Sequence, residues 1–295
     1  MNTTPYEVIT ERIVSLLHAG VCPWRRPWNK VPIAPQNYAT GHRYSGINLF
    51  LLLAIGYELP LFLTFKQAAE HGGSVRKGSK GIPVVFWSTF ETEETDAEGK
   101  PKKVPFLRYY TVFNAAQIEG VSFPTIPSRT GESFRPIEKA ERIVSGWADG
   151  PRIVHGFHRA EYLPQLDRIH MPSPASFDAP ADYYATLFHE MGHATGAKHR
   201  LDRKLSATND DAYSREELVA EMTAAFLCAR CGIDNSTIEN HAAYLAGWLK
   251  ALKADPKLVV IAAGQAQKAA NLVLGIEATA AADIGQTLPH PMMQT

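Results

Sequence analysis

The stretch YYATLFHEMGHATG, residues 183–196, carries two histidines four positions apart within an apolar segment. On a helix, positions i and i+4 lie on one face, so the rings of His189 and His193 can point at one ion. Zn²⁺ binds imidazole nitrogen at about 2.0–2.1 Å and takes four tetrahedral ligands. Glu190 lies beside the first histidine, where it can take a proton from water as a general base. The motif therefore predicts a zinc site with His189 and His193 as metal ligands and Glu190 as the catalytic residue.

Three residues compete for the place of the third protein ligand. The continuation HEMGHATGAKH fits the pattern H-E-x-x-H-x-x-G-x-x-H, in which the last histidine, here His199, closes the site. The later stretch REELVAEMTAAF offers Glu217 and Glu221 on one helix face. A capping box with Ser214, or a hydrogen bond to a ligating histidine, would account for Glu217. Glu221 lies among apolar residues, where a charge needs a partner, so the sequence favours Glu221 as the metal ligand.

Residues 165–172, QLDRIHMP, alternate polar and apolar side chains and predict a β-strand. In zinc peptidases of this kind, an edge strand above the active-site helix pairs with an extended peptide substrate. This segment is therefore a candidate for that substrate-binding strand, and an ordinary sheet edge is the alternative.

The first half of the chain combines aromatic and basic residues. In the stretch CPWRRPWNKVPIAPQNYATGHRYSG, residues 22–46, two tryptophans alternate with arginines. Single-stranded nucleic acid is bound by aromatic rings that stack on bases and by cations that follow the phosphates. A core or loop-anchoring role for the tryptophans is the alternative. The predicted DNA-binding residues are Trp24, Arg25, Arg26, Trp28, Arg43, Tyr44, Lys77 and Lys80, with Phe86, Trp87, Arg108, Tyr109 and Tyr110 as further candidates for the same groove.

The charge distribution agrees with an anionic partner. The chain has 295 residues and a formal net charge of zero, which argues against a histone-like role. The first 90 residues nevertheless hold nine lysines and arginines against four acidic residues. This local excess of positive charge indicates that the first half binds an anion.

Neither the targeting signals nor the cysteine content of the sequence indicates export from the cytoplasm. No secretory signal opens the chain, and the longest apolar run, residues 49–55, is too short to span a bilayer. Three cysteines are too few for a disulfide framework. Cys228 and Cys231 are interpreted as small apolar residues of a helix, not as a redox or metal pair. We therefore expect a cytoplasmic protein with no membrane partner.

Several separate motifs resemble one family. The stretches YEVITERIVSLLHAGVCPWRRPW, YSGINLFLL, FLTFKQA, VRKGSKG and RYYTVFNAAQIEG are similar to the N-terminal domain of ArdC-type antirestriction proteins. The stretches YYATLFHEMGHATGAKHRLDR and YSREELVAEMTAAFLC resemble the zincin-type metallopeptidase domain that these proteins carry. The resemblance extends to about residue 275. The metal-site pattern of the family falls on His189, Glu190, His193 and the helix with Glu217 and Glu221, whereas His199 departs from it.

The resemblance implies a plasmid-encoded protein that binds single-stranded DNA and protects incoming conjugative DNA from host restriction. The same N-terminal module also occurs in plasmid primase-associated proteins. The cofactor would be Zn²⁺ or another divalent metal. A second interpretation makes peptide hydrolysis the primary activity, with the N-terminal domain recruiting a host protein as substrate. A purely structural zinc ion is a third.

The predicted fold class is α+β, with a boundary in the Pro-, Gly-, Ser- and Thr-rich residues 120–134. We expect a mixed α/β single-stranded-DNA-binding domain over residues 1–125, a linker over 126–134, a zincin-like metallopeptidase domain over 135–276 and a tail over 277–295. Each half is long enough to bury a core of its own. Local signals predict a first helix over residues 4–19 and Thr64 as the N-cap of a short helix.

Overall fold

The structure is a computed structural model that describes residues 4–18, 34–95, 101–124, 136–203, 211–233 and 242–276. It combines helices and strands in two sequence halves, so the predicted α+β class is confirmed. The predicted linker, 126–134, and tail, 277–295, lie outside the described residues. The domain bounds drawn from them stay a prediction.

The first half is built on a four-stranded sheet in the order β1-β2-β5-β4. Its main feature is a long antiparallel hairpin, in which β4 and β5 pair from Ile82 opposite Val112 to Thr95 opposite Pro101. The elements of this half are α1 (Pro5–His18), β1 (Gln36–Asn37), α2 (Ile47–Ala54), β2 (Leu61–Thr64), α3 (Phe65–Glu70), β3 (Ser74–Val75), β4 (Ile82–Thr95), β5 (Pro101–Asn114) and β6 (Ile118–Glu119).

The second half sets a small sheet in the order β7-β9-β8 against a group of helices. Within residues 165–172, predicted as a substrate-binding edge, Arg168–Met171 form the central strand β9, with neighbours on both sides. That prediction is wrong because alternation shows which face of a strand is buried, not its position in the sheet. The elements are α4 (Pro136–Gly146), β7 (Arg152–His155), β8 (Glu161–Leu163), β9 (Arg168–Met171), α5 (Pro180–Ala194), α6 (Asp211–Cys231), α7 (Ala242–Ala254) and α8 (Leu258–Val273).

One hydrophobic core runs through both halves. Helix α1 contributes the buried residues Ile9 and Ile13, which belong to the same cluster as the apolar side chains of α6 and α8. Phe50 of α2 stacks on Phe226 of α6 with ring centroids 4.6 Å apart. The hydroxyl of Thr10 donates to the carbonyl of Pro256 at 2.7 Å. The first half keeps two smaller clusters of its own, and it also contributes buried residues to the large cluster that it shares with the second half.

Helices α5 and α6 approach each other closely at Gly192. A β-carbon on this residue would lie 3.0 Å from the α-carbon of Ala220 and 3.3 Å from the β-carbon of Thr223. Contacts under about 3.4 Å between such atoms are strained, so only glycine fits here without movement of α6. Because Gly192 adjoins His193 and Ala220 follows Glu217 by one turn, this contact brings the histidines of α5 beside the carboxylates of α6.

The two cysteines of α6 are core residues, as predicted. Cys228 and Cys231 are fully buried, and burial raises the pKa of the Cys231 thiol to about 12. A thiol that keeps its proton at neutral pH is a poor nucleophile and a poor metal ligand. Among the described residues, no helix combines the length and apolar character needed to cross a membrane.

Candidate metal centre and nucleic-acid interface

The imidazole rings of His189 and His193 converge on α5. Their Nε2 atoms lie 3.1 Å apart. The carboxylate of Glu217 on α6 faces both rings, with one oxygen 3.4 Å from Nε2 of His193 and the other 3.5 Å from Nε2 of His189. Ligand atoms of these three side chains lie within 4.8 Å of one another, which makes them a group that can hold a metal ion.

The spacing of these atoms fits a small divalent ion. Two atoms that each lie about 2.1 Å from an ion, at the tetrahedral angle, are about 3.4 Å from each other. The two Nε2 atoms are 3.1 Å apart, and each oxygen of Glu217 lies 3.4 or 3.5 Å from one of them, which is close to that value. Two imidazoles and one carboxylate leave a fourth position for water or substrate, which is the pattern of catalytic zinc sites.

Glu221, the ligand that the sequence favoured, lies on the other side of the His189 ring. Its oxygen is 3.6 Å from Nδ1 of His189, the nitrogen that points away from His193 and Glu217. Helix α6 spans Asp211–Cys231, so Ser214 lies inside the helix and is not its N-cap. The predicted capping box at Ser214 therefore does not account for Glu217. The geometry favours Glu217 as the third ligand and gives Glu221 the position of an outer carboxylate beside His189.

His199 does not take part in the group around His189 and His193. Its Nε2 atom lies 3.5 Å from a carboxylate oxygen of Asp167, and 52% of its side chain is exposed. The chain turns after Thr195 and carries His199 to the β8–β9 turn, where Asp167 is found. The match to the longer zinc pattern is thus a coincidence of spacing.

Glu190 is buried, and its negative charge acts on both histidines. This is the position expected of a base that serves an ion between the two rings. The sequence did not single out Glu216, yet its carboxylate lies 3.5 Å from Nδ1 of His193. Each histidine therefore has one carboxylate at the ring nitrogen that faces away from the ligand group, Glu221 for His189 and Glu216 for His193.

The carboxylates favour the charged form of the histidines when no ion is bound. Burial lowers the pKa of His193, but interactions with Glu216, Glu217 and Glu190 outweigh it and raise that pKa to about 10. The pKa of His189 is also raised, because its interactions with Glu217, Glu221 and Glu190 outweigh burial and the charge of His193. Burial raises the pKa of Glu217, but hydrogen bonds to His189 and His193 outweigh it and lower that pKa. A dication would replace these protons as the partner of the carboxylates.

Metal affinity is expected to rise with pH. An imidazole must lose its proton before it binds an ion. Because the pKa of His193 is about 10 without a metal, each metal ion displaces at least one proton at neutral pH. The affinity for Mn²⁺ should therefore increase by about tenfold per pH unit between pH 6 and pH 8. Isothermal titration calorimetry in buffers of different ionisation enthalpy measures both affinity and proton release; an affinity that is constant over this range contradicts the protonated state.

The raised pKa of His193 has the opposite effect on the stability of the metal-free protein, which should fall as pH rises. The folded-state pKa of His193 lies above its ordinary value, so this histidine stabilises the fold fully below about pH 6.5. The contribution is lost as pH rises towards 10. Added metal should restore it, so the stabilisation by Mn²⁺ in a thermal melt is expected to be larger at pH 8 than at pH 6.

Of the eight predicted DNA-binding residues, four lie outside the described residues, three are exposed and one, Tyr44, is buried. Trp24, Arg25, Arg26 and Trp28 lie outside the described residues, and their role stays a prediction. Arg43, Lys77 and Lys80 are exposed, with the two lysines in the turn that leads into β4.

Tyr44 is a correction to the predicted set. Only 3% of this residue is exposed, and its ring packs on Phe62 within a core cluster of the first half. A ring buried in this way cannot stack on a base. The aromatic and basic composition of its neighbourhood did not distinguish an inward from an outward side chain.

Two aromatic residues of the hairpin are exposed instead. Trp87 of β4 is 54% exposed and Tyr109 of β5 is 46% exposed. Trp87 is opposite Leu107, and Val85 is opposite Tyr109. The exposed rings are therefore diagonal neighbours on one face of the sheet, within reach of each other. We call Trp87 and Tyr109 the hairpin aromatic pair.

Two family models match the chain and together span most of it. The N-terminal domain of the antirestriction factor ArdC matches residues 3–113, and a zincin-like metallopeptidase model matches residues 138–265.

Among characterised sequences, DNA primase TraC of Escherichia coli is 40% identical over 294 residues, which are 92% of this chain but 27% of the primase. The chain thus spans about a quarter of that relative. An uncharacterised protein, y4eC of Sinorhizobium fredii (strain NBRC 101917 / NGR234), is 38% identical, with 91% of each chain covered.

Two solved structures are similar over nearly the whole chain. The metal-free crystal structure of the antirestriction protein ArdC from the R388 plasmid is 38% identical, with a TM-score of 0.72 and coverage of 92% of this chain and 97% of that one. The Mn(II)-bound structure of the same protein is 37% identical, with a TM-score of 0.74 and coverage of 93% and 98%. With both family models in the same order, this chain belongs to the ArdC family of antirestriction proteins.

Proposed function

We propose that this protein binds the single-stranded DNA that enters a cell during conjugation and thereby protects plasmid DNA from host restriction. The protein would act in the cytoplasm. Family membership supports the antirestriction role, and one structural observation carries the DNA-binding part. That observation is the hairpin aromatic pair, two large rings exposed side by side on a sheet face in the half that has excess positive charge.

The surroundings of this pair suit a flexible polyanion. Val85 and Leu107, directly opposite Tyr109 and Trp87, lie on the same sheet face and are buried in the core, so the hairpin is held firmly beside the pair. Lys77 and Lys80 lie in the turn before β4, and Trp87 is about 17 Å along the strand from Ile82, at about 3.4 Å per residue. Bases stacked on the rings and phosphates near the lysines would follow the length of the hairpin. Stacking of this type accepts any base, as protection of unrelated incoming sequences requires.

Removal of either ring is expected to weaken the binding of single-stranded DNA. Trp87→Ala and Tyr109→Ala should each reduce the binding free energy by about 1–3 kcal/mol, which is the contribution of one base stack. Fluorescence anisotropy with a labelled mixed-sequence oligonucleotide measures the loss. The matched control is Phe157→Ala, which removes an exposed aromatic ring of the second half.

Two outcomes would contradict the DNA-binding proposal. One is wild-type affinity in both hairpin variants. The other is equal affinity of the wild-type protein for the oligonucleotide and its duplex, because stacked and paired bases cannot lie on protein rings. Binding should also weaken as salt is raised, since phosphate contacts release counterions.

The second part of the proposal concerns the metal centre. His189, His193 and Glu217 would hold Zn²⁺ or another divalent ion, which polarises a peptide carbonyl and makes bound water more acidic. Glu190 would take the proton of the attacking water and pass it to the leaving amine. The burial of Glu190 beside both histidines supports this role. It also supports a second candidate function, in which cleavage of a host protein is the primary activity.

Conjugation assays distinguish the two functions. A plasmid that carries the gene is transferred into a recipient with an active restriction system and into an isogenic recipient without one. If DNA binding protects the plasmid, Trp87→Ala with Tyr109→Ala lowers transfer only into the restricting recipient, and Glu190→Gln transfers as the wild type does. If proteolysis protects it, the pattern is reversed.

A further inference from the structure

A buried guanidinium joins the ends of the two helices that form the metal centre. The Arg203 side chain is 7% exposed and lies just after the turn that follows α5. Its Nε and Nη2 atoms donate to both carboxylate oxygens of Glu216 at 3.0 and 2.7 Å. Nη2 also donates to the carbonyl of Gly192 at 2.8 Å, and Nη1 donates to the hydroxyl of Thr195 at 2.9 Å. One side chain therefore links the last turn of α5 to the second turn of α6.

The contacts of Glu216 extend this link to a metal-site histidine. The same oxygen that accepts from Nη2 of Arg203 lies 3.5 Å from Nδ1 of His193. The Glu216 side chain is 8% exposed, so solvent hardly weakens either contact. Arg203, Glu216 and His193 form a continuous series that ends at the nitrogen opposite the one facing Glu217 and His189.

We propose that Arg203 and Glu216 are positioning residues of the metal centre, which hold the His193 ring with Nδ1 protonated and Nε2 directed at the ion. This inference rests on the proposed metal site. A carboxylate at the distal nitrogen of a ligating histidine fixes its tautomer and orientation, and loss of such a partner lowers metal affinity by about 10–100-fold. Arg203 acts through Glu216, because it fixes the position of the carboxylate.

The chemistry of the pair agrees with a positioning role better than with stabilisation alone. A buried ion pair often gives little net stability, since both charges lose their hydration. An arginine presents a planar fork that grips both oxygens of a carboxylate, which a lysine cannot do. The further bond to the Gly192 carbonyl connects this grip to the residue before His193. Both helices are thereby held in the register that the ligands need.

A second arginine in the same segment provides a matched control. The Arg200 side chain is 1% exposed, grips both oxygens of Asp167 at 2.7 and 2.8 Å, and donates to the carbonyl of Ala194 at 3.0 Å. It is as buried as Arg203 and also anchors the end of α5. Its carboxylate partner faces His199 and not a histidine of the metal centre.

The test compares Glu216→Gln, Arg203→Met and Arg200→Met in the full chain. Affinities for Mn²⁺ and Zn²⁺ are measured by competition with a chelator, and circular dichroism with thermal melts reports folding. We expect Glu216→Gln and Arg203→Met to bind both ions about 10–100-fold more weakly than the wild type. Arg200→Met should melt at a lower temperature and keep the wild-type affinity. If Arg203→Met does not fold, Arg203→Lys keeps the charge without the fork and should show the same loss.

A nitrogen-15 spectrum of the histidines in the Zn²⁺-loaded protein gives the orientation directly. His193 should be protonated on Nδ1 in the wild type, and this signal should be lost or exchange-broadened in Glu216→Gln. The inference is overturned if folded Glu216→Gln binds metal with wild-type affinity. It is also overturned if Arg200→Met and Arg203→Met lose metal affinity equally. Either result leaves the proposed metal site intact. Failure of the wild-type protein to bind either ion overturns the site and the inference together.

Discussion

Glu217→Gln is expected to lower the affinity for Mn²⁺ or Zn²⁺ by more than about 100-fold, a larger loss than an outer-shell substitution causes. The reason is that Glu217 presents oxygens to the Nε2 atoms of both histidines, at 3.4 and 3.5 Å. A neutral amide of the same shape keeps the packing of α6 but removes the negative charge that a dication requires. Chelator competition at constant pH measures the change.

Glu221→Gln is the matched control for this prediction. Glu221 lies one turn further along the same helix than Glu217, and its carboxylate oxygen is 3.6 Å from Nδ1 of His189. As an outer carboxylate it should change the affinity by about 10–100-fold. If Glu221→Gln causes the larger loss of metal affinity and Glu217→Gln the smaller one, the ligand is Glu221, as the sequence favoured.

Glu190→Gln is expected to reduce peptide hydrolysis by about 10²–10⁴-fold while the metal stays bound. The glutamine fills the same volume but cannot accept a proton, so only the base step is lost. Fluorescently labelled casein is the probe, and metal content is measured on the same samples. A matched control is Glu161→Gln, which changes a carboxylate of β8 that pairs with Arg159 and not with the metal-site histidines.

Two results would contradict the assigned role of Glu190. Hydrolysis at the wild-type rate in Glu190→Gln would mean that another group takes the proton. Loss of bound metal in this variant would mean that Glu190 is a ligand.

The same variant also tests the primary function. Loss of protection from restriction in Glu190→Gln, with DNA binding intact, would establish proteolysis as the primary function.

Local patterns in the sequence were sufficient for the helix that carries the histidines. Spacing by four positions places His189 and His193 on one face whatever the rest of the chain does, and α5 has this geometry. The first helix and the cap by Thr64 are also local, and both are confirmed, the latter by a capping box with Gln67. The family could be identified for the same reason, because its motifs are short continuous stretches.

The choice between Glu217 and Glu221 could not be made from local patterns. Both residues share a helix face, so the decision depends on where α6 begins and where it crosses α5. The close contact of Gly192 with Ala220 fixes that crossing. The burial of Tyr44, the central place of β9 and the core shared between Phe50 and Phe226 are likewise settled by contacts between distant segments.

The most direct test of the metal centre is anomalous scattering from crystals of the protein grown with Mn²⁺. We predict one strong peak, bound by Nε2 of His189, Nε2 of His193 and the carboxylate of Glu217, with Glu216 and Glu221 at the Nδ1 atoms. A peak bound by Glu221 in place of Glu217, or no peak between the two imidazoles, would contradict the site proposed here.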